Sequence, residues 1–210
     1  MCGRYFIDST PEIQKIITEM NRSALAGRYM HTFGRSLVQS GEVRPNDIVP
    51  VIAPDRHGLR AVFPMVWGYS LSPQPGTSSG TILFNARIET AKEKRTFKDD
   101  WKKHRCAVPA SYYFEWEHIS GKNGREHTGS KYMIQPAERM MLWFAGLYRI
   151  EDGFPHFAIL TREPGESIRF IHDRMPVILP SSIIKDWISP DSDPDSFEDY
   201  MLTDMYCEKA

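Results

Sequence analysis

The sequence predicts an α+β fold: a mostly antiparallel sheet rolled toward an open β-barrel, with flanking helices. Three observations predict it. Short β-branched or aromatic segments, bounded by Gly, Pro and charged clusters, recur between residues 48 and 160. Helical patterning is confined to the two ends and one polar stretch between them. No repeat or composition shift divides residues 1–187, expected to form one domain, and the acidic residues 188–210 are expected to follow it as a C-terminal tail.

Each element has its own signal. Ser9-Thr10-Pro11-Glu12 reads as a helix start, with Ser9 as cap, Pro in the first turn and Glu three residues after the Ser. Ile13, Ile16, Ile17 and Met20 then line one face at helical spacing. Strands are expected over 48–53, 59–67, 82–86, 111–116, 132–134, 141–147 and 157–160. The clearest flexible loop is SLSPQPGTSSG, residues 70–80. Residues 89–103, polar apart from Phe97 and Trp101, read as a surface helix. A last helix is expected from Ser181, after Pro180, to Trp187.

Composition narrows the function classes. With 41% hydrophobic and 25% charged residues among 210, the chain has the profile of a soluble globular protein with room for a real core. Its longest apolar run, residues 140–148, falls far short of the roughly 20 residues a bilayer requires. Arg4 and Asp8 stand where a signal peptide would place its apolar stretch, so a cytoplasmic protein is expected. Three cysteines make no disulfide framework, and no CxxC or HExxH spacing suggests a metal. The formal net charge of −1 conceals an asymmetry: residues 181–210 hold 8 acids and 2 bases, leaving 24 bases and 19 acids in residues 1–180. A basic body of this kind hints at an anionic ligand.

Four segments could carry chemistry. In Met1-Cys2-Gly3-Arg4, loss of Met1 would leave a free α-amine beside the Cys2 thiol. Such an aminothiol condenses with an aldehyde to an imine, which the thiolate closes to a thiazolidine; the amine could instead serve as base for the thiol in acyl transfer. In FNARIET, period-2 alternation puts Asn85, Arg87 and Glu89 on one face of a strand, where an amide can orient a reacting group and a guanidinium can fork onto phosphate. A polar sheet face with cross-strand pairs is the plainer reading of that segment alone. Glu115 lies among Tyr112, Tyr113, Phe114 and Trp116. Facing the apolar side, its carboxyl would be raised by desolvation and suited to proton transfer; the same alternation also permits a solvent-facing Glu115. Lastly, His172-Asp173-Arg174 joins a proton shuttle to a cation that could hold an anion, though a lone histidine so placed is more often structural.

Taken in order, MCGRY, FNARIET, RCAVPASYYFEW, WFAGLY, AILT and HDRMPVIL closely resemble the SRAP (SOS-response-associated peptidase) family, over residues 2–187. That family includes sensors of abasic sites in single-stranded DNA. The resemblance implies an SRAP fold and a role in the DNA damage response. Cys2, freed of Met1, would form a protective thiazolidine crosslink with the ring-opened abasic sugar. Asn85 would position that sugar, Glu115 would shuttle protons during ring opening and imine formation, and His172 would act at the Schiff base and in crosslink reversal. Arg4, Arg87 and Arg174 would hold phosphates, while Trp67 and Trp116 would offer flat surfaces to neighbouring bases. The peptidase of the family name would be removal of the residue before the cysteine. No cofactor and no metal are implied, and the expected partner is single-stranded DNA bound by a monomer, nucleoid-associated when engaged.

The chain departs from the family where a Tyr-Asn-x-Ala-Pro-like segment leads into the sheet; it has Val43-Arg44-Pro45-Asn46-Asp47 instead. Two other readings compete. Class II glutamine amidotransferases also open with Cys-Gly after Met removal, but their glutamine-binding motifs are missing from this sequence. A non-covalent single-strand binder would leave Cys2 incidental.

Overall fold

The computed structural model describes residues 2–71, 80–120, 126–138 and 140–210, with Ser120 and Glu126 described in backbone alone. Strand β1 (Arg4–Ile7) leads into helix α1 (Pro11–Asn21), whose predicted apolar face of Ile13, Ile16, Ile17 and Met20 is buried throughout. Its cap is Thr10, not Ser9, and neither side chain closes the first turn. Asp8 Oδ1 does the local work instead, accepting the Thr10 N–H at 3.0 Å. Helix α2 (Ala24–Phe33) was not expected from its apolar spacing, since only Ala26 and Tyr29 are buried. Its ends carry the signal: Ser23 accepts the Ala26 N–H, and Gly34 at φ 59° supplies the left-handed C-cap.

The strands that follow close a barrel. In β3 (Ile48–Pro54), β4 (Arg60–Trp67), β8 (Arg105–Ala110), β11 (Leu142–Glu151) and β12 (Phe154–Arg162), pairing runs β11–β8–β3–β4–β12 and returns from β12 to β11. All pairs are antiparallel except β12 with β4, which lets the ring close. Residues 48–53 are buried on both faces because one side fills the barrel and the other lies under α1 and helix α5 (Ile184–Ile188). β12 also pairs in parallel with β7 (Asn85–Arg87) and antiparallel with β13 (Met175–Pro176).

A second antiparallel sheet lies alongside, in the order β14 (Met205–Lys209), β10 (Glu126–Pro136), β9 (Tyr112–Ser120), β1 and β2 (Gly41–Val43). Short strands β5 (Tyr69–Leu71) and β6 (Thr81–Leu83) pair with each other. The centre of the predicted 70–80 loop, residues 72–79, lies outside the described residues. The aromatic core includes Tyr5, Trp67, Phe144 and Phe157, with Trp67 stacked on Phe157 at 6.3 Å.

Three expectations change here. Residues 89–103 form two short helices, α3 (Ile88–Ala91) and α4 (Lys98–Lys103), rather than one surface helix. Phe97 and Trp101 are buried anchors, Trp101 standing edge-on to Trp187. The expected terminal helix begins as a 3-10 turn at Ser181–Ile183 and becomes α5 (Ile184–Ile188). Residues 188–210 are not a detached tail. The buried Arg105 guanidinium donates to the carbonyls of Trp101, Lys102, Trp187, Ser189 and Ser192, Phe197 and Met201 are buried, and β14 joins the sheet beside β10. Among the described residues no helix is long and apolar enough to cross a membrane.

Candidate functional site around Cys2

β1 is an inner strand of the second sheet, with Tyr5 opposite Val43 on one side and Tyr113 on the other. Since Arg4 pairs with Phe114, the residues before β1 run toward the part of β9 that carries Glu115. The parallel β7–β12 pairing, with Asn85 opposite Ile159, brings in a third piece of chain. These arrangements converge on Cys2.

Cys2 is fully buried, and its Sγ–H donates to the Arg4 carbonyl at 3.8 Å. Asn85 Nδ2 donates to the Cys2 carbonyl at 2.8 Å, fixing the backbone of the residue expected to react. The Asn85 Oδ1 is buried and has no partner among the described residues. An acceptor left in this condition costs stability, so it stands ready for a donor brought by a ligand.

Glu115 is only 5% exposed, which resolves the alternation in favour of the apolar face. Burial raises its carboxyl above the usual range, the backbone N–H of Trp116 partly offsetting this by donating to Oε1 at 3.3 Å. Burial also pushes the Cys2 thiol up, and the Glu115 charge adds to that. The two groups therefore oppose each other's ionisation, and the site favours protons held over negative charge shared.

His172 is 7% exposed, and burial lowers its imidazole to about 4. Two groups meet His172 Nδ1: the Arg174 backbone N–H at 3.0 Å and Asp173 Oδ1 at 2.7 Å. His118 lies against this ring, centroid to centroid 4.1 Å, and its backbone N–H donates to the Ile171 carbonyl at 2.9 Å.

The expected DNA contacts divide. Arg87 is exposed on β7, next to the site, and Trp116 is half-buried on β9. Arg4 is part-exposed but paired with Glu42. Arg174 is nearly buried; its guanidinium forks onto Glu89 with bonds of 2.8 and 2.9 Å and donates to the Thr161 carbonyl. It pins the 171–174 segment to α3 and β12, so it has no free fork for phosphate. Trp67 offers no surface to a base: it is fully buried, with Nε1–H donating to the Phe84 carbonyl at 2.8 Å. That bond positions the residue before Asn85, which makes Trp67 a support of the site from within the core.

Sequence reasoning missed Glu42, Lys131, Thr161 and His118. Each matters only through a strand neighbour distant in sequence, so period and motif carry no sign of it. Among the described residues no group of three or more His, Cys, Asp or Glu side chains could hold a metal ion.

Comparison with known proteins places this arrangement in a family. A protein named abasic site processing protein YoaM, from Bacillus subtilis, is 29% identical over 210 residues, covering 96% of this chain and 86% of its own. Abasic site processing protein YoqW of the same organism is 30% identical over 203 residues, covering 93% and 84%. A crystal structure of a protein from Bacteroides thetaiotaomicron, 21% identical, shares the fold with a TM-score of 0.71, over 99% of this chain and 91% of that one. The model of the SOS response associated peptidase family matches residues 1–209, so the chain that ties Asn85 to its second residue belongs to the SRAP family.

Proposed function

We propose that this protein processes abasic sites in single-stranded DNA by capturing them covalently on Cys2, exposed as the terminal residue by hydrolysis of the bond to Met1. Met1 itself lies outside the described residues. The observation that carries the reading is the Asn85–Cys2 bond, which ties the second residue to a strand more than eighty positions away and leaves Oδ1 of the same side chain open. The relatives' names, abasic site processing proteins, support the substrate class.

The chemistry balances without a cofactor. Glu115, its carboxyl raised by burial, donates a proton to the sugar ring oxygen while the C1′ hydroxyl gives up its own to water, opening the ring to the C1′ aldehyde. The Cys2 amine adds to that carbon, and loss of water gives an imine. Addition of the thiol across the C=N bond then forms the S–C bond, its proton passing to nitrogen, and closes the thiazolidine. His172, its imidazole lowered by burial, moves protons at the imine nitrogen and in the reverse reaction. Asn85 Oδ1 accepts from a sugar hydroxyl and Arg87 meets a phosphate.

The test combines mass determination of the mature N-terminus with denaturing electrophoresis after incubation with an abasic oligonucleotide. Protein lacking Met1 is expected to give a heat-stable adduct, and Cys2→Ala none. An undiminished adduct in Cys2→Ala, or an active protein that retains Met1, overturns the reading.

A further inference from the structure

The second sheet carries a face that the chemistry at Cys2 does not use. On β9, Tyr112, Phe114 and Trp116 alternate to the side opposite the buried Tyr113 and Glu115. Register places Phe6 and Glu42 in one row with Tyr112, Arg4 beside Phe114, and Lys131 opposite Trp116. The Phe6 and Tyr112 rings are stacked, 4.9 Å apart and 7° from parallel. Lys131 Nζ sits 3.6 Å from the Phe114 ring centroid and 5.5 Å from that of Trp116. Three cations, Arg4, Arg44 and Lys131, converge on the single carboxylate of Glu42. Phe6, Tyr112 and Trp116 are all part-exposed.

Aromatic rings interleaved with cations on one open sheet face are what a single strand needs: π-faces for bases and charges for phosphates. The cluster has more positive than negative charge, three cations against one carboxylate. We propose that this face is a second binding region, which takes the nucleotides on one side of the lesion, running from Trp116 past Phe114 and Lys131 to the Phe6–Tyr112 stack. From Trp116 to Tyr112 the strand covers about 13 Å, room for a few nucleotides. Beyond Tyr112 the face opens into a groove of about 540 Å³ bordered by Asp8 and Glu12. Those carboxylates repel phosphates, so the footprint ends at the stack.

The proposal rests on the abasic-site reading of Cys2, and its test separates the two. Oligonucleotides with one abasic site are extended one nucleotide at a time on the 5′ side or the 3′ side, and non-covalent affinity is measured by fluorescence anisotropy on Cys2→Ala protein. Affinity is expected to rise with length on one side only and then level off. In the Phe6→Ala/Tyr112→Ala variant that rise should fall about tenfold. Lys131→Gln should lower affinity and flatten its salt dependence by about one phosphate's share. Crosslinking to a minimal abasic oligonucleotide, measured with Cys2 intact, should survive all three substitutions. A length dependence unchanged in the double variant, or equal on both sides, overturns the proposal while leaving capture at Cys2 standing. Loss of all crosslinking in unmodified protein overturns the reading beneath it.

Discussion

The side-chain amide of Asn85 and the main-chain carbonyl of Cys2 are hydrogen-bonded at 2.8 Å, although β7 and the start of β1 belong to different sheets. This bond ties the second residue to the sheet that closes the barrel. Asn85→Ala removes the donor and frees Cys2 to move. Crosslinking is expected to slow by about tenfold or more, and the orphaned Cys2 carbonyl to lower stability by about 1–3 kcal/mol. Time courses on a denaturing gel, beside thermal melts, check both halves.

Glu115 sets stability against activity. Its carboxyl is raised by burial, so the folded protein holds that proton to higher pH than the unfolded chain does. Folding therefore loses stability as pH rises from the ordinary carboxylate range through the raised value. Glu115→Gln is expected to be more stable than the parent at pH 7 and to converge with it in acid, while crosslinking slows by about a hundredfold. Urea unfolding at several pH values, with crosslinking rates at neutral pH, tests the pair of effects.

His172 behaves in the opposite sense. The folded protein holds the ring neutral down to about 4, whereas the unfolded chain protonates it near 6.5. Its contribution is fully present above the unfolded value and is lost as pH falls through the folded one, amounting at most to about 3 kcal/mol. His172→Gln should flatten the acid limb of a stability–pH curve. A curve of unchanged slope between those two values would show that the proton goes elsewhere.

Arg174 and Glu89 are unequal partners. Arg174 is nearly buried and also serves the Thr161 carbonyl, whereas Glu89 is 45% exposed. Arg174→Met is expected to destabilise by about 2–3 kcal/mol, and Glu89→Gln by less than about 1 kcal/mol. Denaturant unfolding of the two variants decides it. Near-equal losses would return Arg174 to the role of a phosphate contact.

The two tryptophans expected to meet bases should separate cleanly. Trp67→Ala opens a cavity beside Phe157 and Tyr5 and should cost about 3–5 kcal/mol. Trp116→Ala should leave stability almost intact but weaken single-strand binding about tenfold. Circular dichroism melts and anisotropy distinguish them.

Much of the fold was legible in the chain because local rules suffice for it. The spacing of Ile13, Ile16, Ile17 and Met20 builds α1, and the apolar stretch from Ile48 builds β3. Strand order was not legible: nothing in residues 85–87 announces a parallel partner at 159–161, and nothing in Met205–Lys209 announces β10. At the site, Cys2, Asn85, Glu115 and His172 stand out through motif and residue type. The fate of Arg174 and Trp67 depends on burial, which one-dimensional patterning cannot separate from exposure when a charged or aromatic residue flanks an apolar run. Glu42 escaped notice for the same reason, since its three cations come from β1, β10 and the segment after β2.

The burial of Cys2 also sets an order of events during synthesis. Asn85, which holds its carbonyl, and Glu115, whose charge bears on its thiol, lie far along the chain, so the second residue leaves the ribosome long before these neighbours exist. At about 5–20 residues per second, several seconds pass before residue 115 is made. In that interval Cys2 stands outside the burial it has in the folded chain, and its thiol is open to whatever reagents the surroundings hold. Slowed translation lengthens this open time.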